Sequence, residues 1–275
     1  MLDVLFGDFA VARWSLWPPE RIRVVNWNID RGLKFDEITD FLDAQRADIL
    51  VLQEVDLHAR RTKYRNIAEE IAKKLRMDYA FGYEFQELTQ GRGGVPAYHG
   101  QATLSRWHLK GARVIRFRRQ SNFWEPRWFV PESDPFQRRR GGRIALISEI
   151  SIWRCRLVVY NLHLESRGDN QLRLAQLSEA LEDAKSYLGS RPILFGGDLN
   201  IDIAHSPGAA VLQRLGFHSA VALPAPHTTP GTLLQHPRTI DWVYLAGPIE
   251  SASGRVLRNV NASDHYPISL EIKIA

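Results

Sequence analysis

The sequence predicts an α+β fold in which two β-sheets pack together and helices lie outside them. Strand-like runs occur in both halves of the chain, and each half also contains a pair of helical segments. No Ser/Gly-rich or Pro-rich linker divides the 275 residues. We therefore expect a single domain, 1–275, with its core at about 21–275 and an N-terminal extension at 1–20.

The first half alternates apolar strands with amphipathic helices. Buried strands are predicted at 21–29 and 47–56, and helices at 35–46 and 65–76. The runs 99–107 and 112–118 have the pattern of paired strands. Residues 119–142 contain several prolines and close on two glycines, which predicts a long irregular segment of the kind that is often functional.

The second half repeats this alternation. Strands are predicted at 143–152 and 155–164, followed by a helix at 170–188 with one apolar stripe. The next strand, 192–200, carries two glycines, Gly196 and Gly197. A short helix at 208–216 precedes the last three predicted strands, 239–247, 251–260 and 266–274.

Composition limits the class of protein. Hydrophobic residues make up 44% and charged residues 24%, as in ordinary globular proteins. No apolar run approaches the roughly 18–20 residues of a membrane helix, so we expect no transmembrane segment, and we interpret residues 1–21 as mature sequence. The single Cys155 excludes an intrachain disulfide and fits a cytoplasmic location. A monomer is the default expectation.

The charge distribution permits a polyanionic partner. The net charge is +5 and the sequence pI is about 9.4. Arginines concentrate at 114–120 and 136–143, and aromatic residues lie between them at 121–129. Interleaved basic and aromatic residues suit a phosphate backbone and stacked bases, so nucleic acid, DNA in the first place, is the predicted partner. A solvated surface loop is the alternative interpretation.

Polar side chains lie at or next to one end of six of the apolar strands. Each pair alone would be an ordinary turn, but the ends of strands in one sandwich can reach a common edge and line one cleft. The residues concerned are Asn28, Asp30, Gln53, Glu54, Asp56, Asn161, His163, Glu165, Asp198, Asn200, Asp241, Asp264 and His265.

These residue types predict metal-assisted chemistry on a phosphate. Glu54, Asp30 and Asp264 offer hard oxygen ligands and Asn28 a neutral one, which suits Mg²⁺ or Mn²⁺. No cysteine cluster or HExxH motif favours zinc. A histidine beside an aspartate, as in Asp264 and His265, can act as an acid or base or as a donor to an anionic transition state.

Six motifs carry a resemblance to a known family. In chain order they are NWNID, LQEV, NLHLES, GGDLN, TIDWVYL and SDHYPI. They occur in the order found in the endonuclease/exonuclease/phosphatase superfamily, which the chain resembles over about 24–268. The resemblance implies a DNase I-like, four-layered α/β sandwich with two mainly antiparallel sheets, and hydrolysis of phosphoesters with Mg²⁺, for which Mn²⁺ can substitute.

The resemblance also implies residue roles. Asn28 would bind phosphate or metal, Asp30 and Glu54 would act at the metal, Asp198 would orient or deprotonate water, and Asn200 would hold phosphate. Near them, Asp264 would lie by the metal and orient His265, the donor to the scissile phosphate. Asp241 would assist His265 or bind metal, and Gly196 and Gly197 would leave room for the approach of the substrate. Four further residues would border the cleft or reach phosphate: Tyr98, His99, Arg143 and Arg173.

The motifs do not single out one branch of the family. His163 matches the DNase I-like, sphingomyelinase-like and inositol phosphatase-like branches, and several motifs also resemble the tyrosyl-DNA phosphodiesterase branch. The leading hypothesis is a metal-dependent phosphodiesterase acting on nucleic acid. The alternatives are a phospholipid or phosphosugar hydrolase of the same fold, and an inactive binding module. The inactive module is disfavoured because every motif position keeps its residue type.

Overall fold

A computed structural model of the chain describes residues 3–11, 17, 19–127, 138–231 and 236–274. The helices are α1 (Phe35–Gln45), α2 (Ile67–Leu75), α3 (Asn170–Ala184) and α4 (Pro207–Arg214). The strands are β1 (Val4–Gly7), β2 (Ile22–Arg31), β3 (Ile49–Leu57), β4 (Asp78–Arg92), β5 (Val95–Ser105), β6 (Leu109–Arg116), β7 (Arg139–Gly141), β8 (Ile144–Ile152), β9 (Cys155–His163), β10 (Ile193–Asp198), β11 (His218–Ser219), β12 (Asp241–Ala246), β13 (Ile249–Val256) and β14 (Ile268–Ile274).

The strands form two mixed sheets. The larger has the order β1-β4-β5-β3-β2-β14-β13, with β7 paired to β4, and the smaller has the order β11-β12-β10-β9-β8-β6. Within the described residues, neighbours are antiparallel except for one parallel pair in each sheet, β2 with β3 and β9 with β10. The prediction of two mainly antiparallel sheets is therefore confirmed.

Three apolar clusters separate four layers. Ile38, Leu42 and Ile71 of α1 and α2 pack on the larger sheet, while Leu177 and Leu212 of α3 and α4 pack on the smaller one. The third cluster lies between the sheets, where alternate side chains of the inner strands meet: Ile22, Val24, Ile49, Val51, Leu157, Val159, Leu194 and Val243. Each sheet is thus buried on both faces, which explains why its central strands are nearly continuous apolar runs.

Two buried amides join the sheets near the polar strand ends. Gln53 Nε2 donates to Asn26 Oδ1 at 3.0 Å and to Asn161 Oδ1 at 2.8 Å. Asn161 Nδ2 in turn donates to the carbonyl oxygens of Leu52 and Ala102, both at 3.0 Å. Since buried amides need partners, these bonds fix the register of the smaller sheet against the larger one.

The 15-residue strand β4 has no counterpart among the predicted elements. It pairs with β1, β5 and β7, and its polar residues Asp78, Glu84 and Glu87 are buried. Those buried acids disguise the strand because an apolar pattern is the usual sign of a core strand. Strand β1 lies within the predicted extension 1–20, yet residues 4–7 pair with Tyr79 to Gly82 of β4.

The predicted pairing of 99–107 with 112–118 is wrong, because β5 belongs to the larger sheet and β6 to the smaller one. Other boundaries move by a few residues. The predicted helix 170–188 ends at Ala184, and turns follow it. The predicted irregular segment 119–142 contains a 3₁₀ turn at Asn122–Trp124 and strand β7, and its residues 128–137 lie outside the described part of the chain. Among the described residues no helix has both the length and the apolar character needed to cross a membrane.

Candidate active site

The sheet register brings three predicted residues side by side. Asp198, the last residue of β10, is aligned with His163 on the parallel strand β9 and with Asp241 on the antiparallel strand β12. All three are buried, with Asp198 only 2% exposed. Cross-strand neighbours on one face lie about 5 Å apart, so the strand pairing itself assembles part of the site.

Two backbone irregularities present carboxylates from the larger sheet. The β2–β3 pairing shifts register between Asn28 and Arg31, and the β3–β5 pairing shifts between Leu52 and Val55. Asp30 and Glu54 lie within these shifts and have φ values of 43° and 50°. Non-glycine residues adopt this conformation rarely, and it turns both carboxylates out of the strand alternation.

One group of side chains centres on Asp198. We call Asp198, Asp241 and His265 the Asp198 cluster; one ligand atom of each lies within 4.8 Å of the others. His265 Nδ1 is 2.8 Å from Asp241 Oδ2, and its Nε2 is 3.7 Å from Asp198 Oδ2. Asn28 Nδ2 donates to the same Asp198 oxygen at 3.1 Å. The backbone N–H of Asn200 donates to the other oxygen, Asp198 Oδ1, at 3.0 Å.

The two carboxylates of the Asp198 cluster keep the His265 ring protonated. Burial disfavours the imidazolium, but the negative charges of Asp241 and Asp198 outweigh it and raise the pKa of His265 to about 10. Burial also raises the pKa of Asp241, and the Asp198 charge adds to this effect while His265 opposes it. His265 is therefore a cationic donor at neutral pH, and Asp198 is the acceptor in front of it.

The backbone around His265 is anchored to β2. Trp27 Nε1 donates to the His265 carbonyl oxygen at 2.8 Å. Ser263 Oγ donates to the Asn28 carbonyl at 2.7 Å and accepts from the His265 amide at 3.1 Å. These bonds fix the loop before β14 against the end of β2, so the histidine keeps its position relative to Asn28.

A second group centres on Glu54. We call Glu54, His99 and His163 the Glu54 cluster; their ligand atoms also lie within 4.8 Å of one another. His163 Nε2 is 4.0 Å from Glu54 Oε1 and 3.7 Å from Asp198 Oδ2, so this ring stands between the two clusters. Burial favours a neutral Glu54, but Arg31, His99 and His163 together hold its pKa well below the ordinary value.

Arginine–carboxylate pairs surround the Glu54 cluster. Arg143 Nη1 lies 2.6 Å from Glu84 Oε1 and 2.9 Å from both ring nitrogens of His163. Burial raises the pKa of Glu84, but Arg143 and His163 reverse the shift and lower it to about 2. Arg31 lies 2.6 Å from Asp30 and 3.9 Å from Glu54.

The other predicted residues lie around these clusters. Burial raises the pKa of Asp30, and the charge of the nearby, exposed Asp264 adds to this rise. Arg143 is 2% exposed, and its Nη2 donates to Ser166. Arg173 donates to the carbonyls of Glu165 and Ser166 and to Asn170, so it ties the loop before α3.

Gly196 and Gly197 allow the neighbouring strands to approach closely and do not leave room for a substrate. A Cβ at Gly197 would lie 1.9 Å from the Leu162 carbonyl oxygen, and one at Gly196 would lie 2.3 Å from the Trp242 carbonyl oxygen. Neighbouring strands occupy the space that we expected a substrate to use. Gly197 also has a φ of 142°, which favours glycine and turns the chain toward Asp198.

Sequence reasoning missed Glu84 and Thr228. Glu84 lies on the unpredicted strand β4, so nothing in a sequence pattern associates it with His163. Thr228 Oγ1 accepts from the amides of Ile240 and Asp241 at 3.0 and 3.1 Å and so fixes the start of β12. His99 was expected only to border the cleft, whereas the structure buries it beside Glu54.

One family model matches most of the chain. The model of the Endonuclease/Exonuclease/phosphatase family matches residues 25–265. A search of curated proteins found no match to the chain.

Solved structures share the architecture at low sequence identity. An endonuclease/exonuclease/phosphatase from Beutenbergia cavernae is 18% identical with a TM-score of 0.65, covering 94% of this chain and 72% of that one. The human Nocturnin catalytic domain with bound sulfate is 18% identical with a TM-score of 0.66, covering 99% and 98%. A humanized D. rerio TDP2 is 16% identical with a TM-score of 0.64, covering 93% and 100%.

Proposed function

The chain belongs to the Endonuclease/Exonuclease/phosphatase family, and from this premise we propose that it is a divalent-metal-dependent phosphodiesterase that hydrolyses phosphodiester bonds in nucleic acid, with DNA as the first candidate. The observation that carries the proposal is the Asp198 cluster, in which a buried carboxylate faces a cationic histidine 3.7 Å away. Hydrolysis of a phosphodiester requires a base for water and a donor for the phosphate oxygens, and this cluster supplies both.

We assign the proton transfer to Asp198. Asn28 and the Asn200 amide hydrogen-bond to its two oxygens and hold the carboxylate in one orientation. Asp198 accepts a proton from the attacking water as the water oxygen bonds to phosphorus and the bond to the leaving ester oxygen breaks. The leaving oxygen takes its proton from solvent. His265, oriented through Nδ1 by Asp241, donates from Nε2 to a phosphate oxygen throughout.

The metal is assigned to the side of the site that contains Glu54. The ionised carboxylate of Glu54 and the amide oxygen of Asn28 are donors that suit a hard dication, and the side chain of Glu54 remains 21% exposed to an incoming ion. A divalent ion bound there supplies Lewis acidity toward the phosphate oxygens. Asp30 and Asp264 complete the negative rim of the site from the end of β2 and the loop before β14.

Nucleic acid is favoured over other phosphodiesters by the surface next to His163. Trp124 Nε1 donates to Glu165 Oε1 at 2.9 Å, which attaches the segment 121–127 to the strand end that carries His163. Phe123 is 51% exposed, and the Arg167 guanidinium stacks 4.9 Å from its ring centroid. An exposed aromatic ring beside an arginine suits a stacked base and its phosphate.

A cleavage assay tests this function. Purified protein is incubated with Mg²⁺ or Mn²⁺ and end-labelled single- or double-stranded DNA, beside EDTA and Asp198→Asn samples. We expect cleavage that both controls abolish. Intact DNA in every lane, together with turnover of a phospholipid or phosphosugar panel, would assign the same chemistry to the alternative substrates. Absence of hydrolysis across all substrates would contradict an enzymatic role.

A further inference from the structure

The segment between β3 and α2 is strongly basic. Residues 58–66 contain three arginines, one lysine and one histidine, and no carboxylate. Arg60 and Lys63 are exposed, and neither forms an ion pair with a described residue. Exposed cations without a counter-charge in the protein are available to an anion from solution.

This segment is fixed next to the proposed active site. It begins four residues after Glu54 on the same chain. Arg61 donates to Asp56 through Nε at 2.6 Å and Nη2 at 2.7 Å, and its Nη2 also donates to Glu87 at 3.0 Å. Since Asp56 and Glu87 are buried and neutralise its charge, Arg61 positions the segment and is not one of its free cations.

Backbone hydrogen bonds hold the segment in one conformation. The His58 amide donates to the Arg65 carbonyl at 2.8 Å and closes the loop at its base. The Arg61 amide donates to Gln90 Oε1 at 3.2 Å, which attaches the loop to β4. A loop that is already ordered loses little conformational entropy when it binds a ligand.

The hairpin of β4 and β5 adds a third cation beside the loop. Arg92 is exposed, and its guanidinium carbon lies 5.3 Å from the ring centroid of Tyr64, the residue that follows Lys63. Arg92 forms no ion pair with a described residue either. We call Arg60, Lys63 and Arg92 the Lys63 surface.

A cavity of about 280 Å³ lies beside the Lys63 surface. The loop contributes Lys63 and Arg65 to its lining, and the start of α1 contributes Lys34, Asp36 and Glu37. Asp36 and Glu37 are exposed and repel an anion, whereas the loop brings only cations. An anionic ligand is therefore expected on the loop side of the cavity, with the two acids of α1 opposing it.

We propose that the Lys63 surface binds backbone phosphates of a nucleic-acid strand that extends from the reacting phosphate. The proposal rests on the proposed function and adds to it a surface for the flanking strand. A strand presents one phosphate per nucleotide, so several fixed cations can each meet one, whereas a single small phosphoester would engage only one cation. Such contacts do not distinguish the bases, so binding is independent of sequence.

Fluorescence anisotropy of labelled single-stranded DNA with the full-length protein tests the proposal. The titrations are made in EDTA, which prevents metal-dependent cleavage, and over a series of NaCl concentrations. The triple variant Arg60→Gln, Lys63→Gln and Arg92→Gln should raise Kd about 10–100-fold at 0.1 M NaCl. The slope of log Kd against log salt should also fall by about 2, because each lost phosphate contact on a single strand removes about 0.7.

A matched triple variant controls for net charge. Lys110, Arg154 and Lys273 are exposed at the end of the sandwich away from His163, and their joint change to glutamine removes the same charge. Their Kd should stay within about twofold of wild type, since screening weakens distant charges. Glu37→Gln should instead tighten binding about twofold. Equal weakening by the two triple variants, or no DNA binding by wild type, would overturn the proposal.

Neutral methylphosphonates placed one at a time along the DNA locate the contacts. In wild type, substitution of a contacted phosphate should raise Kd about threefold or more. In the Arg60, Lys63 and Arg92 triple variant the same substitution should have no further effect, because the two changes remove one interaction. Substitutions that weaken both proteins alike at every position would contradict the assignment of these cations to phosphates.

The outcomes also separate this proposal from the proposed function. DNA cleavage by wild type, with an unchanged Kd in the triple variant, would leave the phosphodiesterase proposal standing and remove the Lys63 surface. DNA binding that depends on this surface, in a protein that hydrolyses no phosphoester, would support the surface and contradict the activity. Circular dichroism of each variant, matched to wild type, establishes that the changes in Kd do not come from unfolding.

Discussion

The Glu54 cluster and the Asp198 cluster contain the same residue types in opposite proportions. In the Glu54 cluster one carboxylate faces two imidazoles. Two further carboxylates lie beside those rings, Asp56 next to His99 and Glu84 next to His163. In the Asp198 cluster two carboxylates face one imidazole and raise its pKa to about 10. His163 Nε2, 3.7 Å from Asp198 and 4.0 Å from Glu54, stands between them.

The difference shows how position decides the task of a histidine. A carboxylate on the far side of a ring fixes which nitrogen holds the proton and leaves the other as a lone-pair donor. Carboxylates on both sides keep the ring protonated and make it a cationic donor. We propose metal binding at Glu54 and proton transfer at the Asp198 cluster, and the following predictions challenge that division.

Asp198→Asn should have the largest effect. The amide keeps the size of the carboxylate but cannot accept a proton from water, so the rate of single-turnover DNA cleavage should fall by about 10³-fold. Asp40→Asn, at a carboxylate that is 76% exposed on α1, is the matched control and should cleave like wild type. Added metal should not restore the Asp198→Asn rate, and a rescue by metal would assign Asp198 to the wrong cluster.

Glu54→Gln should act through metal affinity. Loss of the charged ligand should raise the Mn²⁺ concentration needed for half-maximal cleavage by about 10–100-fold, with partial recovery of rate at saturating metal. The measurement is the cleavage rate across a metal titration. Glu182→Gln, at a carboxylate that is 73% exposed, controls for the loss of a charge. An unchanged metal dependence would remove Glu54 from the metal site.

Asp241→Asn should change the pH profile. Without the Asp241 charge, the pKa of His265 falls from about 10 toward its ordinary value of 6.5, so the cationic donor is lost at a lower pH. We expect the cleavage rate of the variant to decline between pH 6.5 and 10, where wild type remains active. Coincident profiles for the two proteins would show that protonated His265 is not required.

The smallest expected effect is on stability. The folded pKa of His265 lies above its unfolded value, so the stabilisation by its proton is complete below pH 6.5 and is lost as the pH rises through about 10. The difference in unfolding free energy between wild type and His265→Asn should therefore shrink over that interval. Urea unfolding at several pH values measures it. A difference that grows with pH would contradict the raised pKa.

The sequence predicts the Asp198 cluster better than the Glu54 cluster. Asp198, Asp241 and His265 lie at strand ends within recognisable motifs, and simple strand pairing brings Asp198 and Asp241 together. The Glu54 cluster depends on a register shift beside Glu54 and on β4, whose buried Glu84 and Glu87 hide its strand character. Buried ion pairs join residues from distant strands, and no local pattern indicates which acid will meet which arginine.

The two arginines chosen from the sequence illustrate the same limit. Arg143, the first residue of a predicted strand, and Arg173, within a predicted helix, were both expected to reach phosphate. The structure buries Arg143 against Glu84 and His163 and uses Arg173 to hold backbone carbonyls. A guanidinium near a site can bind a ligand or can hydrogen-bond to the protein itself. Only the partners within hydrogen-bond distance distinguish these two roles.

A crossed experiment tests the division of labour most directly. Single-turnover cleavage of end-labelled DNA is measured for wild type, Glu54→Gln and Asp241→Asn, each across a Mn²⁺ titration and across pH 6.5 to 10. The account predicts that Glu54→Gln shifts the metal dependence and keeps the wild-type pH profile, whereas Asp241→Asn shifts the pH profile and keeps the metal dependence. If both variants shift both curves alike, the two clusters act as one unit and the assignment of separate tasks is wrong.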